Sequence, residues 1–326
     1  MFSFNQFDTD KNTFIFYNQG TSSVRTVPFI KPLGINFVHI LAVGGGGGGG
    51  AGCTWVSSTV RHGGGGGGGG GVTVGIFPAN LLPDTLYVSV GQGGSGGTSG
   101  IIATPGTGNN GIDGTSSTIY LVNQPNISGS GGILLTAFGG DGGTGGSQSS
   151  SLSINGFGGN SLAGPTLIDM PMACLGIFTS TPSTTGADSN FPGDDAEPFS
   201  YSFVSGGGGG GIQTLNSTPS SGGSCGLITN GNEINIPVIS GGSALNDGQD
   251  GITLFKPYFV SLGGGGGGAG TMVNFQTPLP GGDGGKGGLG SGGGGGGSGN
   301  KQFTGDPWNA GFGGRGGDGI VIISCW

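Results

Sequence analysis

The chain keeps returning to tracts built almost entirely of glycine. They lie at 44–52, 63–71, 91–97, 139–146, 206–211, 263–270, 281–299 and 311–319. Each glycine in an α-helix costs ~1 kcal/mol relative to alanine, so such tracts exclude helix. Two fates remain. A tract can be a flexible linker, or it can adopt the extended, left-handed threefold helix of the polyproline II type, rising about 3.1 Å per residue. One such helix has no internal hydrogen bonds, but without side chains many can bond to one another laterally. At that rise the 63–71 tract spans about 28 Å, and 44–52 and 263–270 span nearly the same. Linkers have no reason to share a length, so the repetition favours a bundle. Glycine loses more backbone entropy on ordering than any other residue, so each tract must gain many lateral bonds at once.

Composition separates this reading from simple disorder. Glycine supplies 88 of 326 residues and charged residues only 7%, a bias that usually marks unfolded low-complexity chain. Yet 32% of the residues are hydrophobic and mean hydropathy is +0.06, which a solvated tail does not show. The net charge of −8 and the scattered lysines and arginines argue against nucleic acid as a partner. No stretch approaches the ~18 apolar residues of a membrane span, and the opening MFSFNQFDTDKN turns acidic too soon for a signal peptide. Cys53, Cys174, Cys225 and Cys325 lie far apart and form no CxxC pair. They read as buried free thiols of a protein made in a reducing compartment, or as two disulfides in any of three connectivities. The sequons at Asn126 and Asn216 read as chance matches without a secretory route.

Between the tracts lie strand patterns. Residues 13–17, 23–30, 35–43, 72–76, 85–90, 116–122, 133–138 and 319–324 are β-branched or alternate apolar with polar. In 35–43 the alternation puts Ile35, Phe37, His39, Leu41 and Val43 on one face. The expected fold is all-β and irregular: a strand platform plus a bundle of polyglycine helices with exposed loops and almost no α-helix. The N-terminal strand segment (1–43) and the glycine-rich part (44–326) are expected to form one continuous domain from residue 12 onward. Side chains cannot enter such a bundle, so the segments 147–205, 212–240, 271–280 and 300–310 are expected at its ends on an exposed face, where loops on a rigid scaffold carry recognition.

In these segments and in the 53–62 insert lie the candidate contact residues Trp55, Phe191, Phe199, Tyr201, Phe275, Phe303 and Trp308. Aromatic side chains anchor loops and also dominate binding surfaces, and both roles stay open. Catalytic, cofactor and metal signatures are missing. GxGxxG matches carry no information in so much glycine, and the region of Lys286 fails the phosphate-loop pattern at Pro280 and Gly287. His39, in step with the apolar residues of its strand, reads as packed. Six Asp-Gly pairs, at Asp113, Asp141, Asp247, Asp250, Asp283 and Asp318, lack the spacing of calcium-binding nonapeptides and read as turns or tract ends. Asp194 and Asp195 read as a solvated acidic loop.

The ordered series resembles the glycine-rich domain of viral tail-fibre and appendage proteins over 24–326. Thr26-Val27-Pro28, then 35–43 running into 44–52, is similar to that family's opening strand pair and first tract. Thr85-Leu86-Tyr87-Val88-Ser89-Val90-Gly91 and the closing Gly313-Gly314-Arg315-Gly316-Gly317-Asp318-Gly319-Ile320-Val321 resemble its internal and final motifs. The resemblance implies packed polyglycine helices and variable loops. The expected function is therefore a non-enzymatic virion surface or fibre-tip protein that presents loops for host-receptor attachment. Host surface glycan or protein, other virion proteins and further copies of the chain in a trimer or filament are the expected partners. The rival readings are a purely architectural spike, fibril or capsid-decoration subunit and a self-assembling extracellular fibre protein.

Overall fold

The computed structural model describes residues 12–18, 26–55, 60–98, 106–123, 132–149, 177–181, 186–189, 192–196, 204–212, 219–225, 237–255, 259–270, 272–273, 277–278, 280–300 and 310–326. Nine strands build the two main sheets: β1 (Thr13–Tyr17), β2 (Thr26–Ile30), β3 (Phe37–Val43), β4 (Val72–Pro78), β5 (Thr85–Ser89), β6 (Ser117–Tyr120), β7 (Ile133–Ala137), β8 (Ile177–Thr181) and β9 (Ile320–Cys325). They form two antiparallel sheets, ordered β1-β9-β3-β4-β8 and β2-β5-β6-β7. The only helix among the described residues is a 3-10 turn, Ala79–Leu81.

The sheets face each other across a core that includes Val38, Ile40, Phe77, Leu86, Val88, Ile119, Leu135, Val321 and Ile323. Alternation along β3 sends Leu41 and Val43 to the opposite face, as the sequence indicates. There they meet Ile320, Ile322, Val204 and Phe259 in a second cluster. The strand is thus buried on both faces beside the glycine tract that follows it. His39 is half-buried on the outer face, between Ser324 and Ile76. Burial lowers its pKa below the usual histidine value.

Six of these strands run directly into or out of a tract: β3 into 44–52, β5 into 91–98, β7 into 139–146, and β4, β6 and β9 out of 63–71, 106–115 and 311–319. The tracts continue the strand pairing in a different form. Along 44–52 the hydrogen bonds rotate through three partners with a period of three. Gly44, Gly47 and Gly50 donate to Gly71, Gly68 and Gly65; Gly45, Gly48 and Ala51 donate to Thr115, Ile112 and Asn109; Gly46, Gly49 and Gly52 donate to Gly317, Gly314 and Gly311. Its carbonyls accept with the same period from 91–98, 139–146 and 291–299. This tract is therefore enclosed by six others. Tracts 204–212, 262–270 and 291–299 are enclosed in the same way.

The bonds arrange the tracts in four stacked rows. One row is 91–98, 311–319, 280–288 and 246–252. The next is 106–115, 44–52, 291–299, 262–270 and 239–243. Above it lie 139–146, 63–71, 204–212 and 219–225, and outermost are 186–189 and 193–196. Interior glycines have no room for a side chain: a Cβ on Gly47 would sit 2.0 Å from the Asp141 carbonyl oxygen, and one on Gly49 2.1 Å from that of Gly294.

Side chains mark depth. The enclosed tracts are nearly all glycine. A tract on an outer row keeps glycine at two positions in three and turns the third outward, as at Phe312 and Arg315, or Asp283 and Lys286. Beyond Gly106 at its start, the corner tract 106–115 keeps only Gly108, Gly111 and Gly114, which face the 44–52 tract.

An outer tract also has backbone N–H groups aimed where no further tract lies, and side-chain oxygens of the adjacent tract accept them. Asp113 Oδ1 takes Gly142, Asn110 Oδ1 takes Gly145, Asp318 Oδ1 takes Gly93 and Asp283 Oδ1 takes Phe312. Asp247 Oδ1, Asp250 Oδ1 and Thr253 Oγ1 take Asp283, Lys286 and Leu289 in a ladder of constant offset. Partial burial raises the Asp283 pKa; the Phe312 N–H opposes that shift and nearby Asp247 reinforces it.

Several sequence expectations need correction. Asp113, Asp247, Asp250, Asp283 and Asp318 lie within tracts rather than at turns or tract ends, because a surface lattice needs acceptors along its length. The 281–299 stretch is two antiparallel passes joined at Gly290, where φ is +73° and a Cβ would press on the Val43 side chain. Residues 147–205 are not one exposed loop, for they contain β8 and the outermost tracts. Asp194 and Asp195 belong to one of those tracts; Asp195 Oδ1 accepts the Ser224 N–H.

Candidate functional site

The bundle has one end at the sandwich and one end open. The 44–52 tract leaves β3 and reaches the open end at Cys53, whose N–H donates to His62 O at the start of the returning 63–71 tract. Thr54 exchanges hydrogen bonds with Gly106, Gly299 donates to Cys53 O, and His62 donates to Ser147 O. Ser220 to Ile212 and Gly270 to Ser298 complete the rim. The chain thus leaves or re-enters the lattice at this one end beside residues 55 and 60, 98 and 106, 149, 212 and 219, 270 and 280, and 300 and 310.

Trp55 lies on this rim, with its backbone paired in parallel to Asn300. Phe275, Phe303 and Trp308 fall in segments 274–276 and 301–309, outside the described residues, whose described flanks lie at the open end. Phe191 is also outside them, between tracts 186–189 and 193–196, which turn back at that end. Phe199 and Tyr201 lie outside them too, but between Ala196 and Val204 at the sandwich end, where Val204 packs on Leu41 and Ile320. The described flanks of the predicted contact set are therefore divided between the two ends of the bundle. Sequence reasoning could not know the parity of the tracts: an even number of passes returns the chain to the end it left.

Under the rim, Cys53, Arg61 and His62 are all buried. Burial pushes the Cys53 thiol up to about 12, outweighing the His62 backbone bond and the Arg61 charge that favour the thiolate. Burial also lowers the Arg61 pKa. Cys225 is pushed up to about 12, and its thiol donates to Gly263 O; Cys325 is pushed up to about 11. All three are free thiols, and as neutral buried groups they are poor nucleophiles at neutral pH. Cys174 lies outside the described residues. No three His, Cys, Asp or Glu side chains among the described residues gather as a metal-binding group. What this end offers is position: a hydrogen-bonded rim that fixes the take-off points of several segments relative to one another.

No curated protein matches the chain. A model of the glycine-rich domain matches residues 21–326, a span that takes in eight of the nine main-sheet strands and every tract described above. The chain belongs to the glycine-rich domain family.

Proposed function

We propose that this chain is a virion surface or fibre-tip protein that holds recognition segments at the open end of a polyglycine II bundle and attaches to a host surface through them. The observation that carries the reading is the gathering of exits from the lattice at one end, four of them (after 55, 212, 270 and 300) continuing tracts that other tracts enclose. Lateral bonds with a period of three are what parallel and antiparallel threefold helices make, and they support reading the tracts as polyglycine II. Enclosure makes the scaffold stiff, and binding energy is not then spent on ordering it. Trp55, whose backbone lies on the rim, and Phe275, Phe303 and Trp308, which fall between described flanks at that end, are the aromatic residues proposed to anchor the contact.

The test replaces 271–279 and 301–309 with Gly-Ser segments of equal length. The expected result is an unchanged melting temperature together with loss of binding to glycan arrays and intact cells. Immunogold labelling should place the protein at the tip or surface of a particle. Binding that survives both replacements refutes the assignment of these segments. Labelling along a filament shaft supports the architectural reading in its place.

A further inference from the structure

The lattice holds seven Asn-Gly or Asp-Gly pairs in its tracts, and this is the sequence in which a backbone amide most readily attacks the preceding side chain, since glycine offers no Cβ to obstruct it. Asn110–Gly111 is the Asn-Gly pair among the described residues. An amide leaving group makes it intrinsically more reactive than the Asp-Gly pairs. Asn110 is exposed on the corner tract, so water reaches it. Both reacting groups are nevertheless engaged on the adjacent tract. The Gly111 N–H donates to Gly143 O at 2.8 Å, and Asn110 Oδ1 accepts the Gly145 N–H at 2.8 Å. The Asp-Gly pairs show the same engagement: Gly114 donates to Gly140 O, Gly248 to Asp283 O, Gly284 to Phe312 O and Gly319 to Gly91 O.

We propose that Asn110 is a spontaneous deamidation site gated by the lattice, so that its conversion records the opening of tract 106–115 from tract 139–146. On opening, the Gly111 nitrogen loses its proton and bonds to Asn110 Cγ, and the side-chain nitrogen leaves as ammonia. The succinimide takes up one water and opens to aspartate or isoaspartate. Aspartate keeps an acceptor for Gly145. Isoaspartate inserts a methylene into the main chain and displaces Gly111 and Gly114 from their places against 44–52. A Cβ at Gly111 would meet Gly48 O at 2.0 Å, so the lattice has no slack for that displacement. Re-closure then fails, and the modified tract stays open.

The test ages the full chain in mildly alkaline buffer, folded and in denaturant. It follows the amide-to-acid mass change and the isoaspartate content of the Asn110 peptide. Conversion in the folded chain should be slower by at least about tenfold, since it must wait for local opening. Asp113→Ala, which removes the neighbouring bond to Gly142, should speed conversion in the folded chain and leave the denatured rate unchanged. Sub-denaturing urea on the unsubstituted chain gives the same comparison if that variant does not fold: conversion should rise in step with exchange of the Gly111 amide. Equal folded and denatured rates overturn the proposal. So does conversion that stays constant while Gly111 exchange accelerates.

Discussion

Adding one methyl group at the centre of the bundle should markedly destabilise it, and Gly49→Ala is the sharpest version. Gly49 donates to Gly314 O and accepts from Gly97. Its Cβ would point at the 291–299 tract, 2.1 Å from Gly294 O, 2.5 Å from Gly294 C and 3.0 Å from Gly293 O. All three obstacles are backbone, so no rotamer change relieves the clash. Separation to ordinary contact moves that tract by more than an ångström and strains the bonds from Gly293 to Gly47 and from Gly296 to Gly50. Each bond contributes ~1 kcal/mol, and forcing an atom into a packed interior costs about 1–3 kcal/mol. Against this, alanine loses less entropy than glycine on folding, a gain of about 0.4–1 kcal/mol. The balance is a loss of roughly 3 kcal/mol, a large share of the 5–15 kcal/mol typical of a domain. Thermal unfolding followed by circular dichroism should show a melting temperature lower by roughly 4–5 °C. Ser95→Ala, at an exposed outward position of an outer tract, should change it little. Equal melting temperatures for Gly49→Ala and the parent chain would refute the claim that these tracts are close-packed on backbone.

Three further outcomes are expected. Amide exchange at Gly47, Gly67 and Gly293, each donating across an enclosed tract, should be among the slowest in the chain, and fast exchange there would contradict the lattice. Asp283→Asn should stabilise the fold at neutral pH. The folded-state pKa of Asp283 is raised, so the ionised form opposes folding, while asparagine keeps an acceptor for the Phe312 N–H. The advantage should fade as pH falls through the carboxyl range, where the parent folded chain takes up its proton before the unfolded chain does. Equal stabilities for variant and parent across that range would remove the argument. Cys53 and Cys225, buried and pushed up to about 12, should resist alkylation at neutral pH until the chain is denatured, as labelling with mass detection will show.

The sequence by itself determined the class of structure. Runs of glycine forbid helix, their near-equal lengths point to parallel packing, and the alternation in 37–43 separates Leu41 and Val43 from the strand residues that face the sandwich core. It also carried a depth signal that the broad reading passed over. No strict Gly-X-Y repeat spans the chain, yet the outer tracts keep a local period of three, as in Gly-Asn-Asn-Gly-Ile-Asp-Gly at 108–114. The number of glycines per turn gives the number of sides enclosed. Asp113, Asp247 and Asp283 could have been read as lattice acceptors from the same phase.

Only the tertiary structure decided which tract lies beside which. A glycine tract has no side chain to distinguish one neighbour from another, so its partners are chosen elsewhere, by strand pairing in the sandwich that fixes 63–71 and 311–319 against 44–52. The same holds for the ends. Phe199 and Trp308 look alike in sequence, but the number of passes before each places their flanks at opposite ends of the bundle. That β8 pairs with β4 across more than a hundred residues is likewise a long-range choice with no local signal. A lattice without side chains specifies its own geometry strongly and its connectivity hardly at all.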